Sequence, residues 1–263
     1  MHNHRLPLAA GLALLLGACG GPGPAKDDSL RHFGQLGFKP CTLSGAGASG
    51  NVEAQCATFD VPENPAEPQG RKISLNVAWL PASNNVVATP DPVFFLAGGP
   101  GQAATEVAAL VNPSLREIRK QRDLFFIDQR GTGKSNPLDC LGEDGKELPI
   151  DELRQPSVEL MQDYAQRCAK SLLGRADTRF YTTTEAIGDL DAVRAALGVD
   201  KLNLIGGSYG TRVAQQYAAR FPQHTRSVVL DGVAPNDLVV GGEFAGTFED
   251  ALKLQSAQCA KLP

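Results

Sequence analysis

Histidine, aromatic residues and long hydrophobic runs are all scarce in this sequence. Of 263 residues, 4 are histidine and 6% are aromatic, and the formal net charge is only −4. Without a basic run, the chain lacks the electrostatic footprint of a nucleic-acid-binding protein. What is present is an ordinary globular balance of 42% hydrophobic and 21% charged residues, which excludes collagen, coiled coil and extensive disorder. The 28 glycines and 18 prolines predict many tight turns, as in an α/β protein.

The N-terminus has the pattern of an export signal. Arg5 supplies a positive charge, and Leu6–Leu16 is an apolar core that is too short to cross a bilayer as a helix. Leu16–Cys19 resembles the bacterial lipobox, in which the cysteine sulfur takes a lipid and becomes the new N-terminus. We therefore predict a lipoprotein signal peptide over 1–18 and lipidation of Cys19. The following Gly20–Pro24 stretch predicts a flexible tether.

Export implies an oxidising compartment, in which neighbouring cysteines are expected to form disulfides. Five cysteines remain once the lipidated one is set aside. Short-range pairing predicts Cys41–Cys56 and Cys140–Cys168, although sequence alone leaves other connectivities open. Cys259 is then unpaired. The Gly/Ser/Ala-rich segment between Cys41 and Cys56 predicts a loop.

Two kinds of hydrophobic pattern along the chain predict the strands of a sheet. Period-two alternation at Ala57–Val61 and Ile73–Leu80 predicts two antiparallel strands. Continuous apolar runs are typical of parallel strands that are buried on both faces. Such runs occur at 93–96, 124–127, 202–205 and 228–230.

Helical patterns separate these runs. Thr182 and Glu185 form a capping box at the start of a helix that Gly198 ends. A second amphipathic helix is predicted from 211 until Pro222 stops it. The charged stretch 141–181 predicts a helical excursion beside the sheet. Strands alternating with helices favour a mostly parallel sheet with flanking helices.

Gly206–Gly210 has the sequence G-x-S-x-G between a predicted strand and a predicted helix. This is the setting of a nucleophile elbow, in which a sharp turn exposes the hydroxyl of Ser208. The backbone N–H of Tyr209 would then face a developing oxyanion. A glycine-rich packing turn is the alternative reading, and the strand–turn–helix context argues against it.

A second glycine motif, Ala97–Gly101, follows the apolar run that ends at Leu96. Glycines in this position supply the other oxyanion donor of such hydrolases, so Gly98 and Gly99 are candidate backbone donors. Together with Ser208 they form a coherent half-site.

Four motifs in this order resemble those of proline iminopeptidases and, more closely, exported tripeptidyl aminopeptidase-like α/β-hydrolases. They are Ala97–Gly101, Asp128–Gly133, Gly206–Gly210 and Val229–Val233. The resemblance covers roughly residues 55–240. It implies an α/β-hydrolase fold and a serine hydrolase that cleaves short peptides from a free N-terminus, with no metal or other cofactor. The family motif usually begins with histidine where this chain has Ala97. Because oxyanion donation is a property of the backbone, this difference bears on substrate preference more than on the chemistry.

The segment Gly131–Ser135 imitates the end of a phosphate-binding P-loop. The full pattern needs a glycine where this chain has Asp128, and Asn136–Pro137 stands where the phosphate-binding helix would begin. Nucleotide binding is therefore not expected. The family resemblance leaves Asp128 and Arg130 with either a structural or a site-lining role.

The sequence offers no clear acid and base for Ser208. In this fold the order is Ser, then Asp or Glu, then His. His32 lies in the predicted tether, and His224 follows a helix that leads away from the nucleophile, so we expect an ordinary surface residue there. Asp231 ends a strand on the catalytic side, and a turn-forming role is favoured over a catalytic one. The resemblance places the acid and the base after a helical cap.

These patterns predict four segments: a signal peptide at 1–18, a lipidated tether at 19–40, a hydrolase core at 41–240 and the start of a helical cap at 241–263. The resemblance predicts that the chain stops before the last strands of the sheet, leaving an apolar edge, and that it is inactive alone. The alternatives are an esterase or lipase of the same fold, or a non-catalytic lipoprotein that keeps the sheet. The expected partners are a short peptide substrate and, through the lipid, the bacterial cell envelope on its periplasmic side, with the outer membrane favoured.

Overall fold

A single eight-stranded sheet organises the computed structural model, which describes residues 30–45, 50–84, 88–149, 157–239 and 241–261. The strand order is β1-β2-β3-β4-β6-β5-β7-β8. The strands are β1 (Arg31–Phe33), β2 (Leu36–Leu43), β3 (Val52–Pro62), β4 (Lys72–Leu80), β5 (Val93–Leu96), β6 (Leu124–Ile127), β7 (Leu202–Gly207) and β8 (Thr225–Asp231).

The first half of the sheet is antiparallel. Strands β1 to β4 pair in sequence order, and β4 then pairs antiparallel with β6. The predicted strands at 57–61 and 73–80 lie in β3 and β4 and pair as expected. The loop prediction for Cys41–Cys56 is wrong at both ends, because Cys41 lies in β2 and Cys56 in β3. The predicted tether is likewise too long, since β1 and β2 begin inside 19–40.

The second half, β6-β5-β7-β8, is parallel. The apolar runs of β5 and β6 are buried along their whole length, because helices cover both faces of the sheet there. Successive side chains of these strands point to opposite faces of the sheet. Phe94 and Phe125 therefore pack in one hydrophobic cluster, and Phe95 and Phe126 pack in the other. The α/β class predicted from the sequence is confirmed, and the parallel pairing lies in this half of the sheet.

Six α-helices accompany the sheet in the described ranges. They are α1 (Ala104–Val111), α2 (Arg116–Arg119), α3 (Val158–Leu172), α4 (Thr183–Ala196), α5 (Tyr209–Arg220) and α6 (Phe244–Cys259). Helices α4 and α5 pack on one face of the sheet, and α1 packs on the other. Thr182 caps α4 by accepting from the Thr184 N–H, and Gly198 follows its end with φ +69°, as predicted.

Two disulfides tie the described chain. Cys41–Cys56 links β2 to β3, and Cys140–Cys168 fixes α3 to the loop that follows β6. The thiol of Cys259 is free and exposed in α6. None of the helices in the described ranges is both long and apolar enough to cross a membrane. The predicted signal peptide, Cys19 and most of the tether lie outside the described residues.

Candidate active site

Ser208 occupies a sharp turn between β7 and α5. Its backbone has φ 52° and ψ −120°, a conformation that a non-glycine residue rarely adopts. Its N–H donates to the carbonyl oxygen of Asp231 at 2.8 Å, which holds the turn against the end of β8. The side chain is exposed. The strained turn therefore presents a hydroxyl to solvent at the carboxyl end of the parallel strands, where ligands bind in open α/β sheets.

Glycines on both sides of Ser208 make this turn possible. A Cβ at Gly210 would lie 2.1 Å from the Leu96 carbonyl oxygen, and one at Gly206 would lie 2.4 Å from the Gly210 carbonyl oxygen. Neither position accommodates a side chain. Gly207, in contrast, has open space around it. Two of the three glycines of the motif are therefore demanded by the close approach of α5 to the strands.

Gly98 lies directly against the nucleophile. A Cβ built on Gly98 would be 3.1 Å from the Cβ of Ser208 and 3.6 Å from its Oγ. The Gly98 N–H donates to the side-chain Oε1 of Gln102 at 3.3 Å. A predicted oxyanion donor is thus bonded to an exposed side chain four residues along the same loop. No local pattern points to Gln102, because its contact with Gly98 depends on the fold of this loop.

The other two predicted donors are Tyr209 and Gly99. Tyr209 begins α5, and the first N–H groups of a helix have no partner within it. Its hydroxyl bonds to the Thr183 hydroxyl at the start of α4. Gly99 is exposed and has φ +102°, which favours glycine. The arrangement brings one exposed hydroxyl together with candidate backbone donors from two loops.

Residues 97–103, which include Gly98 and Gly99, form a loop that we call the donor loop. Asp128, at the end of β6, is fully buried and bonds to the start of the helix that follows this loop. Its Oδ1 accepts from the Thr105 N–H at 2.9 Å. Its Oδ2 accepts from the Thr105 hydroxyl and from Asn76 Nδ2, both at 2.9 Å, and from the Lys134 N–H at 3.2 Å. Helix α1 has no capping side chain of its own at Ala103, so Asp128 caps it from another element. The sequence left its role open, and its burial makes that role structural.

The stretch that imitates a P-loop is part of this cluster. A Cβ at Gly133 would lie 2.5 Å from Asp128 Oδ2, so glycine is needed for close packing. The Ser135 hydroxyl is buried and donates to the Asp128 carbonyl oxygen at 2.7 Å. The described residues 136–149 that follow contain no helix. The Ser135 hydroxyl, which a P-loop would offer to a metal ion, thus packs inward, whereas Lys134 is exposed.

Arg130 is also buried, and its guanidinium is shared among three elements. It forms a bidentate ion pair with Asp189 of α4 at 2.6 and 2.7 Å. The same group donates to the carbonyl oxygens of Glu63 and Phe180 at 2.8 and 2.7 Å. Its charge is therefore matched by a carboxylate and its donors are used within the protein. Arg130 joins α4 to the end of β3.

A cavity of about 270 Å³ opens beside Tyr209, and we call it the Tyr209 cavity. Its walls come from the donor loop, the loop after β6 and the start of α4. They include Gln102, Gln129, Thr132, Tyr181, Thr183 and Tyr209. Burial and the neighbouring Glu63 carboxylate raise the pKa of Tyr181 to about 12, so its hydroxyl stays protonated.

The histidines of the described ranges lie away from Ser208. His32 is exposed in β1, at the opposite edge of the sheet from β7 and β8. His224 follows α5, whose 12 residues span about 18 Å at 1.5 Å per residue. It is not the ordinary surface residue expected from the sequence, because its Nδ1 bonds to Asp191 at 2.7 Å and its ring stacks on Phe221.

Asp231 is exposed at the end of β8, and its backbone carbonyl contacts the nucleophile. Gly232, with φ +65°, follows it in the predicted turn. Across the described part of the chain, no group of three or more His, Cys, Asp or Glu side chains is arranged to hold a metal ion.

The chain is similar to several known proteins. A family model for the alpha/beta hydrolase fold matches residues 91–250. The serine protease Hip1 of Mycobacterium tuberculosis is 32% identical over 85% of this chain and 45% of its own length. The tripeptidyl aminopeptidase of Streptomyces lividans is 31% identical over 68% of this chain and 35% of its own. Carboxylesterase B of M. tuberculosis is 31% identical over 98% of this chain and 51% of its own. The chain thus spans about half, or less, of the length of these relatives.

Proposed function

The chain belongs to the α/β-hydrolase family, and from that premise we propose that it carries the nucleophile of a serine hydrolase that cleaves short peptides from a free N-terminus. The observation that carries this proposal is the strained, exposed Ser208 with Gly98 packed against it. The names of two relatives, a serine protease and a tripeptidyl aminopeptidase, support a peptide substrate.

In the proposed reaction, Ser208 Oγ attacks the carbonyl carbon of the scissile bond. A new O–C bond forms, and the carbonyl π electrons move to the oxygen, which becomes an oxyanion. The N–H groups of Tyr209 and Gly98 stabilise that charge, once the Gly98 N–H has exchanged Gln102 for the oxyanion. Collapse expels the leaving amine and leaves an acyl group on Ser208, which water then removes.

This chemistry needs a base to take the hydroxyl proton and return it to the leaving amine. Within the described ranges, His32 and His224 lie far from Ser208, and the proposal assigns the base to neither. We therefore expect the 263-residue chain alone to turn over peptides poorly. Residues 241–263, which include the exposed helix α6, are proposed as the start of a helical cap.

An esterase of the same fold is the second candidate, and the relative named carboxylesterase B favours it. The same serine and oxyanion donors serve esters and amides, so the half-site does not distinguish them. The discriminating quantity is the acyl group that Ser208 prefers. A peptidase should accept a peptidyl group faster than a fatty acyl group presented on the same leaving group.

The test is to acylate the protein with two p-nitrophenyl esters, one tripeptidyl and one fatty acyl, because an activated leaving group needs little help from a base. Mass spectrometry then locates the acyl group. We expect it on Ser208, sooner from the tripeptidyl ester, and with little turnover of a tripeptidyl anilide. The Ser208→Ala variant should not be acylated, whereas Ser227→Ala, at the other end of the neighbouring strand, should behave as wild type.

Three outcomes would change the proposal. Faster transfer of the fatty acyl group would favour the esterase. Absence of acyl groups on Ser208 would favour the non-catalytic lipoprotein that keeps the hydrolase sheet. Rapid anilide hydrolysis that depends on Ser208 would overturn the expected inactivity of the chain alone.

We further propose that the protein is exported and held in the cell envelope by lipid on Cys19, with the outer membrane favoured. The lipobox-like sequence Leu16–Cys19 and the short apolar core before it support this proposal. Metabolic labelling with a clickable palmitate analogue should mark the protein. Replacing Cys19 with alanine should abolish the label and release the protein from the membrane fraction.

A further inference from the structure

The Tyr209 cavity adjoins the proposed reaction centre on two sides. Tyr209 follows the nucleophile directly, and Gln102 bonds to the N–H of Gly98, which packs against Ser208. A group bound in this cavity therefore lies next to the carbonyl that Ser208 would attack. The volume of about 270 Å³ is below that of pockets that bury a drug-sized ligand. It suits one amino-acid side chain rather than several residues.

The cavity wall is polar but offers few free hydrogen-bonding groups. The Thr132 hydroxyl donates to the Gln129 carbonyl oxygen at 2.9 Å, and the Tyr181 hydroxyl donates to Glu63 at 3.0 Å. Thr183 and Tyr209 satisfy each other. The side-chain amide of Gln102, which is exposed and accepts one long bond, and that of Gln129, which is half-buried, remain to bond a ligand at this wall.

Two charges beside this wall are matched by opposite charges. Arg130 lines the cavity, and its guanidinium is paired with Asp189. Glu63, behind Tyr181, is paired with Arg71 at 2.6 Å. A charged group that entered the cavity would lose hydration and could not pair with either of these two groups, and such a loss is costly in a protein interior.

We propose that the Tyr209 cavity is a substrate subsite that receives one uncharged side chain next to the scissile bond and rejects charged ones. The reaction at the neighbouring Ser208 rests on the proposed function, whereas the preference for uncharged side chains rests on the cavity alone. When the substrate carbonyl oxygen replaces Gln102 Oε1 as the acceptor of the Gly98 N–H, the side-chain amide of Gln102 becomes free to bond the side chain in the subsite.

Binding tests the subsite without requiring turnover. The probes are N-acetyl amino-acid methylamides with leucine, glutamine, lysine and glutamate side chains, titrated into the isotope-labelled protein. We expect the backbone amides of Gln102, Tyr181 and Tyr209 to shift in NMR spectra. The uncharged probes should bind at least about tenfold tighter than the charged ones.

A matched pair of variants tests the role of charge at the wall. Thr132 is half-buried and lines the cavity, so Thr132→Asp adds a negative charge there, while Thr132→Asn changes shape without charge. We expect Thr132→Asp to favour the lysine probe by about tenfold over Thr132→Asn. Equal binding of charged and uncharged probes, equal responses of the two variants, or no shifts with any probe would overturn the proposal.

The outcomes separate the subsite from the proposed function. Selective binding in the cavity, together with a Ser208 that is never acylated, would keep the subsite and remove the hydrolase. Acylation of Ser208 without selectivity in the cavity would do the reverse.

Discussion

Two side chains that hold the donor loop differ in how firmly they are fixed. Asp128 is fully buried and accepts four hydrogen bonds, whereas Gln102 is exposed and accepts one bond of 3.3 Å from Gly98. A hydrogen bond contributes about 1 kcal/mol net, and a long exposed one contributes less. Gln102 is therefore the group that a substrate displaces, while Asp128 keeps the loop in place.

Replacing Gln102 with methionine should free the Gly98 N–H, because methionine has a similar shape and no strong acceptor. We expect acylation of Ser208 by an activated ester to quicken by up to about fivefold, the equivalent of 1 kcal/mol. The Gly98 amide proton should shift upfield in NMR spectra as it loses its acceptor.

The matched variant Gln102→Glu should act in the opposite direction. A carboxylate is a stronger acceptor, so it should hold the Gly98 N–H more tightly and slow acylation. If both variants leave the Gly98 amide shift and the acylation rate unchanged, Gln102 does not occupy this donor in solution.

Within one element, the start of α5, close packing decides which glycines are required. A methyl group at Gly210 would meet the Leu96 carbonyl oxygen at 2.1 Å. We expect Gly210→Ala to lower the free energy of unfolding by about 3 kcal/mol, because the helix must move away from β5. Urea unfolding followed by circular dichroism measures this.

Gly207→Ala is the control, since the space around Gly207 is open. Its effect should stay within about 0.5 kcal/mol. Equal losses in the two variants would contradict the packing argument.

Three elements meet at Asp191 of α4, which should make stability depend on pH. Burial alone would raise its pKa, but hydrogen bonds from Arg194, Tyr217 and His224 outweigh burial and lower the pKa below its usual value. A carboxyl with a lowered folded-state pKa stabilises the protein above its unfolded pKa of about 3.9. That contribution is lost as the pH falls through the lower, folded-state value.

We therefore expect the free energy of unfolding to decline as the pH falls below about 4. In the Asp191→Asn variant this decline should be less steep, because unfolding then takes up as much as about one proton fewer. Urea unfolding between pH 3 and pH 6 measures both slopes. Asp200→Asn, at an exposed position, should keep the wild-type slope. An unchanged slope in Asp191→Asn would show that this cluster does not govern the acid limb.

The elements that could be predicted from the sequence are those with a local signal. Continuous apolar runs located β5 and β6, and the G-x-S-x-G motif located the turn at Ser208. Strands β1 and β2 were missed, because their residues lie in polar, Gly/Ser-rich surroundings and are stabilised by pairing with β3. Pairing is a long-range property, so composition pointed to a tether and a loop instead.

The candidate site divides in the same way. Ser208, Gly98 and Tyr209 stand in motifs, so the sequence alone predicts them as site residues. Thr105 and Asn76 have no local signal, because they matter only once β4, β6 and α1 converge on Asp128. His224 was misjudged for the same reason: its partner Asp191 is 33 residues away in sequence.

At the scale of the whole molecule, apolar surface concentrates at one edge of the sheet. In the described ranges β8 is the outer strand beside β7, and Val229 is 52% exposed there. Phe244 and Phe248 of α6 are also exposed, at 65% and 64%. An exposed apolar edge strand is a template for pairing with another chain. We expect the purified protein to self-associate as its concentration rises.

Substituting lysine for Val229 should weaken that association, because a charged residue on an edge strand disfavours strand pairing. Leu173→Lys is the control, since Leu173 is 76% exposed after α3 and lies on a different element. Sedimentation velocity should show Val229→Lys shifted towards monomer and Leu173→Lys like wild type. A wild-type protein that stays monomeric, or an equal shift in both variants, would show that β8 is not the associating edge. In that case the apolar surface of β8 would be stable in water as it stands, and the argument from edge pairing would fail.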